Sequence, residues 1–413
     1  MPKHKPGEPY IAKEYTNFQM IGYEVSTGGP APVRATSDFA LEYEVPEDEH
    51  GAAYLPVEGV TNEDARIRLK RLAAVVDLAR KSNPIRVSSK VPDRKVVGAT
   101  NMLKVFMVPE FYFRPAASIA VSAPYKTLGG KVIEPTGGKS VQAYSSTTKD
   151  EIVSALKTMF AHGYFTDWLI VAGSIIWVEE TREEYLGRIR DLQFVRNTAL
   201  VVKGGHPGGE HMHMVDKLNF SSGDAVDLEG RPDVKLKDLI GEIAERRKAI
   251  FAIDNCKFGI EICRDHALSL HVLKKTYIKI ADEPGPAKSE IDFHLLISAG
   301  MPLKPTSVAA RVGGYVLRED GKAGSSYKPN SQVKKLARQT YTDIREIDDF
   351  VPDRKYASRD AFVAGEAHRL TALGEEDVTF FSDAIPEKLR VSSSSGAGSA
   401  NPERIVWSTP IRI

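Results

Sequence analysis

Apolar and polar residues alternate along the first three hundred positions with the periods of strands and amphipathic helices. Apolar runs bounded by loop residues predict strands at 18–25, 103–108, 168–176, 197–202, 211–216 and 292–299, and a hairpin that ends at Cys263. Apolar positions three and four residues apart predict helices at 63–81, from the capping-box pattern 148–151 onward, and at 234–249. Strands that alternate with helices are typical of an α/β layer fold.

Three of the predicted strands end in a residue that can do chemistry. The strand at 103–108 runs into Pro109 and Glu110, the strand at 211–216 into Lys217, and Phe258–Ile262 into Cys263. Loops at strand ends are where α/β folds place functional groups. These three side chains are therefore the candidate catalytic residues.

The residue types suit an attack by sulfur on carbon. A thiol must first lose its proton, and its ordinary pKa of about 8.5 leaves little thiolate at neutral pH. Glu110 is the candidate base that removes this proton. Lys217 is the candidate cation where negative charge develops on the substrate. The pattern indicates covalent catalysis through Cys263.

The order and local sequences of these residues resemble the nitrilase superfamily of carbon–nitrogen hydrolases over roughly residues 18–301. The family signature is a Glu after a strand and a proline, a Lys after a strand, and a Cys that ends a Gly-x-x-Ile-Cys strand, here Gly259–Cys263. The resemblance implies hydrolysis of a non-peptide carbon–nitrogen bond through an acyl-cysteine intermediate, with release of ammonia or an amine. The resemblance favours amide and carbamoyl compounds over nitriles as substrates.

The resemblance also implies an architecture. It predicts a two-sheet α-β-β-α sandwich of nitrilase type at residues 15–301, and it implies a homo-oligomer. Residues 302–413 are predicted to form a C-terminal extension, packed on this core or at an oligomer interface. The alternative is a non-catalytic scaffold or binding protein that retains the fold.

A second glutamate, which the family usually carries a little beyond the lysine, has no clear counterpart. Asp224 and Glu229 lie in the corresponding stretch but match no pattern, and Glu261 precedes the cysteine by two residues. The sequence leaves these alternatives open.

Three further residues are candidates for substrate binding. Tyr112 follows the candidate base and is a candidate wall of the pocket. Arg264 either neutralises a substrate carboxylate or bridges to surface acids. Asp265 lies two places after the cysteine, where many family members carry an acidic residue, and is expected to support the local loop.

Composition limits the other function classes. The formal net charge of +1 argues against bulk attraction to nucleic acid or to an anionic membrane. The first residues lack the apolar core of a signal peptide, so a cytoplasmic protein is expected. The resemblance implies a small-molecule substrate. Two cysteines are too few for a disulfide framework, and Cys256 falls in a predicted hairpin turn as a bystander.

Histidines do not indicate a metal site. His206, His211 and His213 form the one histidine cluster, and no acidic or thiol ligand stands at a recognisable spacing from them. We therefore expect no metal and no cofactor.

Overall fold

Two large β-sheets and two α-helices account for most of the described chain, which confirms the mixed α/β class. The computed structural model describes residues 12–27, 57, 59–83, 101–121, 125–126, 132–133, 139–185, 188–205, 211–218, 248–267, 273, 291–304, 307–322, 329–339, 371–374, 378–386 and 403–413. Most of the predicted helix at 234–249 lies outside these residues. Within the described ranges, neither helix combines the length and the apolar character that crossing a bilayer requires.

The elements follow the chain in order. The helices are α1 (Glu63–Lys81) and α2 (Ser146–Met159). The strands are β1 (Asn17–Glu24), β2 (Met102–Met107), β3 (Ile119–Val121), β4 (Tyr125–Lys126), β5 (Val132–Ile133), β6 (Lys139–Val141), β7 (Tyr144–Ser145), β8 (Trp168–Tyr185), β9 (Arg188–Lys203), β10 (Met212–Asp216), β11 (Ile250–Ile253), β12 (Cys256–Ile262), β13 (Ile291–Ser298), β14 (Ala310–Asp320), β15 (Ser331–Gln339), β16 (Thr371–Gly374), β17 (Phe380–Ala384), β18 (Arg404–Ser408) and β19 (Ile411–Arg412).

The first sheet has eleven strands, and its central strands are parallel. Its order is β17-β18-β1-β2-β8-β9-β4-β5, with β7, β10 and β19 paired alongside β8, β9 and β1. β1 is parallel to β2, and β2 is parallel to β8. β10 is antiparallel to β9, which is itself antiparallel to β8, so β10 points in the direction of β8. The loops after β2 and β10 therefore leave the sheet at the same edge.

The second sheet has six strands in the order β11-β12-β13-β14-β15-β16. β12, β13 and β14 are parallel neighbours. Their carboxyl ends, at 262, 298 and 320, form one edge of this sheet.

The inner faces of the two sheets pack on each other. Alternate residues of β1, β2, β8 and β9 meet alternate residues of β12, β13 and β14 in one apolar cluster. Phe18 from the first sheet packs edge-on against Phe293 of the second, with ring centroids 4.9 Å apart, and its ring lies 4.8 Å from that of Tyr315. These buried aromatic contacts fix how one sheet lies on the other.

Both helices cover the outer face of the first sheet, where they share a second apolar cluster with β1, β2 and β8. Helix α1 has the predicted bounds and is capped by Asn62, whose side chain accepts the Ala65 N–H at 3.0 Å. Helix α2 begins earlier than predicted. Its cap is the Ser145 hydroxyl, which accepts the Thr148 N–H at 3.1 Å, so the predicted capping box at 148–151 is wrong.

The described strands after residue 302 join both sheets. β14, β15 and β16 extend the second sheet from β13 outward. β18 and β19 both pair antiparallel with β1 of the first sheet. This part of the chain therefore contributes strands on either side of the inter-sheet core.

A pair of buried carboxyl groups lies where β1 meets β14 and β15. The Ser331 hydroxyl lies 3.0 Å from Glu24 Oε1 and 2.7 Å from Glu319 Oε2. A hydroxyl has one hydrogen, so it donates to one carboxyl and accepts from the other. Arg404 lies 2.6 Å from Glu24 and forms an ion pair with it. Burial, followed by the charge of Glu24, raises the pKa of Glu319 well above its usual range, so Glu319 carries the proton.

Glu319→Gln should change how stability depends on pH. The folded protein binds a proton at Glu319 that the unfolded chain releases above about pH 4.3, so the free energy of unfolding falls as pH rises from there toward the raised pKa. Glutamine stays neutral, and the variant should lose this part of the fall. Urea unfolding across that range measures the difference, with the exposed Glu180→Gln as control. If the free energy of unfolding depended on pH in the same way in wild type and Glu319→Gln, this result would contradict the assignment of a proton to Glu319.

Candidate active site

The three predicted catalytic side chains meet between the two sheets. Glu110 follows β2, Lys217 follows β10, and Cys263 follows β12, each at the carboxyl end of its strand. The side chains of Glu110 and Lys217 are fully buried, and Cys263 is 8% exposed. One sheet supplies the acid and the lysine, and the other supplies the thiol.

Short polar contacts connect the group. Lys217 Nζ lies 2.7 Å from Glu110 Oε1 and forms a buried ion pair with it. The Cys263 thiol lies close enough to this pair for both charges to act on it: the Glu110 carboxylate raises the pKa of the thiol, and Lys217 lowers it. A base and a cation therefore flank the sulfur, as a thiol nucleophile requires.

Asn197 is a site residue that the sequence reasoning missed. It lies on β9, is fully buried, and donates from Nδ2 to Glu110 Oε1 at 3.0 Å. Its backbone carbonyl accepts the Lys217 N–H at 2.7 Å. One residue thus fixes the carboxylate and the start of the lysine loop. The available signal was a polar residue at the head of the apolar run 197–202.

The loop that carries Glu110 is held by β8. The Phe111 N–H donates to Ser174 Oγ at 2.9 Å, and Phe111 has a left-handed backbone with φ of 65°. Gly173 is required beneath this loop, because a Cβ there would lie 2.6 Å from the Pro109 carbonyl oxygen. The aromatic ring of Phe111 lies 5.5 Å from Lys217 Nζ.

Cys263 itself has an unfavourable backbone conformation. Its φ is +48°, at the point where β12 turns into the 3-10 helix Cys263–His266. A left-handed conformation costs a non-glycine residue roughly 1–2 kcal/mol. Strain of this kind is concentrated at functional sites, where it sets the direction of a side chain. Here it presents the thiol at the end of the strand.

The environment keeps the thiol protonated in the resting protein. Burial raises the pKa of Cys263 well above its usual value, and the neighbouring charge of Glu110 raises it further. Lys217 and the backbone N–H of Ala299 lower the pKa without reversing the shift. Thiolate forms when Glu110 takes the proton, so the carboxylate acts as a base during attack.

The three candidate substrate-binding residues lie in different surroundings. Asp265 is buried, and its Oδ2 accepts the Leu218 N–H at 2.9 Å, which ties the lysine loop to the cysteine loop. Arg264 is half-buried on the 3-10 turn. Tyr112 belongs to the core cluster of the helix layer, is fully buried, and donates its hydroxyl to the Arg68 carbonyl at 3.1 Å. The structure therefore places Tyr112 in the core of the helix layer.

Of the open alternatives for a second glutamate, Asp224 and Glu229 lie outside the described residues. Glu261 is described and is fully occupied elsewhere. Its Oε1 accepts the Leu273 N–H at 2.6 Å, and its Oε2 lies 2.7 Å from His266 Nδ1 and 3.1 Å from His294 Nε2. These contacts lower the pKa of Glu261 to about 2, so the carboxylate stays ionised inside the second sheet.

Glu261, His266 and His294 have the spacing of metal ligands, but their hydrogen bonds do not fit a metal. Backbone N–H groups of Lys304 and Ala309 donate to His266 Nε2 and His294 Nδ1, each at 3.1 Å. Those nitrogens must be acceptors, so the hydrogens sit on the nitrogens that face Glu261. A metal would need lone pairs at these positions. The three residues instead form a buried cluster below the cysteine turn.

The two cysteines differ in surroundings. Cys256 opens β12 at the opposite end of the strand, and burial followed by the charges of Asp292 and Asp254 raises its pKa to about 12. Its side chain is 1% exposed.

Iodoacetamide should therefore alkylate Cys263 faster than Cys256, because Cys263 has the Glu110 base and the Lys217 cation beside its sulfur and is the more accessible of the two thiols. Peptide mapping after partial alkylation measures the two rates. Preferential labelling of Cys256 would contradict the assignment.

No protein-family model matches the sequence, and no curated protein matches it significantly. The assignment of the site therefore rests on its geometry.

Proposed function

We propose that the protein is a thiol-dependent hydrolase of a non-peptide carbon–nitrogen bond, similar to the nitrilase superfamily. The observation that carries the proposal is the contact of a strained Cys263 with the buried Glu110–Lys217 pair. Burying two charges and straining a backbone both destabilise a fold. Their coincidence at one thiol supports a catalytic role over a purely structural one.

Acylation begins with proton transfer from the thiol to Glu110. The sulfur attacks the substrate carbonyl carbon, and the electron pair of the carbonyl moves to oxygen, where Lys217 stabilises the negative charge. The carbon–nitrogen bond breaks, and the nitrogen leaves as ammonia or an amine with the proton held by Glu110. A thioester remains on Cys263. From a nitrile, attack would give a thioimidate instead.

Deacylation uses the same carboxylate. Glu110 removes a proton from water as the oxygen attacks the thioester carbon, and the carbon–sulfur bond breaks. The thiolate recovers a proton from Glu110, and the carboxylic acid leaves. Asn197 holds the carboxylate in one orientation through both steps. No oxidant, metal or cofactor takes part.

The proposal includes the finer architecture. Two packed sheets with helices on the first are compatible with the α-β-β-α sandwich of nitrilase type. In this arrangement residues 15–301 form the hydrolase core, and residues 302–413 complete its sheets or contribute to a homo-oligomer interface. Amide or carbamoyl compounds are the proposed substrates because the resembled family mostly cleaves these, and the slight exposure of Cys263 favours a small molecule.

Release of ammonia or an amine from a panel of small amides, carbamoyl compounds and nitriles tests the function. We expect one class to be hydrolysed, with an acid product in equal amount. Binding of panel members without any acid product would favour the alternative of a non-catalytic protein that retains the fold.

A further inference from the structure

The segment Ser298–Met301 begins at the last residue of β13 and lies beside Cys263, because Ile262 of β12 pairs with Ile297 of β13. Its Ala299 N–H lowers the pKa of the Cys263 thiol. Hydrogen bonds from an N–H group to an anion are stronger than those to a neutral acceptor. This amide therefore favours the thiolate over the thiol, and its position determines how well it does so.

One carboxylate holds this segment on both sides of Ala299. Asp320 Oδ2 accepts the Ser298 hydroxyl at 2.7 Å and the Gly300 N–H at 3.0 Å. Asp320 Oδ1 accepts the Lys322 N–H at 2.8 Å, and the side chain is fully buried. The turn also depends on Gly300, whose φ is +113°.

Arg318, which lies on β14 together with Asp320, also holds this segment. Its Nη2 lies 2.6 Å from Asp320 Oδ2, and its Nε donates to the Met301 carbonyl at 2.9 Å. The Gly321 N–H donates to the Ser298 carbonyl at 2.8 Å. The described contacts of this segment with β14 and its end thus hold the residues on both sides of Ala299.

We propose that Asp320 is a positioning residue for the thiol, holding the Ser298–Met301 turn so that the Ala299 N–H stabilises the Cys263 thiolate. Asp320 does not contact the sulfur and acts through the turn. The inference rests on the proposed role of Cys263 as nucleophile. Because the reactivity of the Cys263 thiol can be measured without substrate, the two proposals can fail separately.

Asp320→Asn is the direct test. An asparagine has one acceptor oxygen, so its NH₂ group would face an N–H or O–H donor that Asp320 now accepts, and the turn would shift. The rate of Cys263 alkylation by iodoacetamide, followed against pH and assigned by peptide mapping, reports the thiol pKa. We expect a higher thiol pKa and about tenfold slower alkylation below it.

The direction in which the Cys263 pKa shifts distinguishes a positioning role of Asp320 from a direct effect of its charge. Removing a negative charge from the neighbourhood would by itself stabilise a thiolate and lower the thiol pKa. A lower or unchanged pKa in folded Asp320→Asn would therefore overturn the proposal. The matched control is Asp292→Asn at the other end of β13, where the carboxylate also accepts a backbone N–H and an arginine. Its Cys263 profile should equal that of wild type.

Ser298→Ala keeps the test open if Asp320→Asn fails to fold. This variant removes one of the contacts to Asp320 and leaves the Gly300 N–H and Arg318 in place. We expect a smaller rise in the Cys263 pKa. An alkylation profile identical to wild type would overturn the proposal, whatever the protein hydrolyses.

Discussion

Cys263→Ala should abolish turnover and leave the fold intact. In the proposed mechanism the sulfur forms the covalent intermediate, so the rate should fall by roughly 10⁴-fold or more. Alanine keeps the Cβ and the left-handed backbone, so little core volume is lost. Steady-state hydrolysis of the substrate found in the panel, with circular dichroism of the same sample, measures both effects.

Two variants serve as controls for this result. Cys256→Ala removes the other buried thiol and should keep wild-type turnover. Cys263→Gly should be inactive but about 1 kcal/mol more stable than Cys263→Ala, because glycine adopts a φ of +48° without strain. Full activity in Cys263→Ala would place the nucleophile elsewhere.

Glu110→Gln should lower the acylation rate by about 100-fold or more. Glutamine has a similar shape but cannot take the proton of the thiol, and general-base catalysis contributes factors of this size. The change also leaves the buried ammonium of Lys217 without its charged partner, which destabilises the fold by about 3 kcal/mol. Single-turnover kinetics below the melting temperature of the variant isolates the chemical step.

Glu179→Gln is the matched control, since this residue also pairs with a cation but lies partly exposed on β8. It should leave the acylation rate unchanged. If folded Glu110→Gln were acylated at the wild-type rate, the Glu110 carboxylate would have no part in the mechanism, and the buried ion pair would be a structural feature only.

The strands and the ends of three of them were predictable from sequence because apolar runs have clear limits. β1, β2 and β13 lie within one residue of their expected bounds, whereas β12 begins two residues earlier than expected, at Cys256. β8 and β9 continue well past their apolar runs into charged residues, as a paired hairpin up to Tyr185 and Arg188. Hydrogen bonds between the backbones of β8 and β9 stabilise this extension, and the hydropathy pattern does not predict it.

The contacts that complete the site could not be predicted, because they join distant parts of the chain. Asn197 reaches Glu110 across 87 positions, and Asp320 acts on a turn about 20 positions earlier. Side-chain direction also escaped prediction after Glu110. Residues two apart on a strand face the same side, but the left-handed backbone of Phe111 breaks this alternation, and Phe111 and Phe113 enter different apolar clusters.

The direction of Glu261 was a further open point. Its position two residues before the cysteine suggested a place near the thiol, yet His266 and His294 hold it inside the second sheet. Each of these histidines accepts a backbone N–H from beyond residue 303, so the network depends on chain segments that come later. Local sequence around Cys263 carries no sign of them.

Intact-mass measurement of the protein mixed with small amides, carbamoyl compounds and nitriles tests the central claim most directly. We predict a mass increase equal to the acyl part of one panel member, located on Cys263 by peptide mapping and absent from Cys263→Ala. Glu110→Gln should accumulate this adduct slowly, because the same carboxylate generates the thiolate. Turnover of a panel member without an adduct on Cys263 under rapid quench, or with an adduct at another residue, would contradict the account.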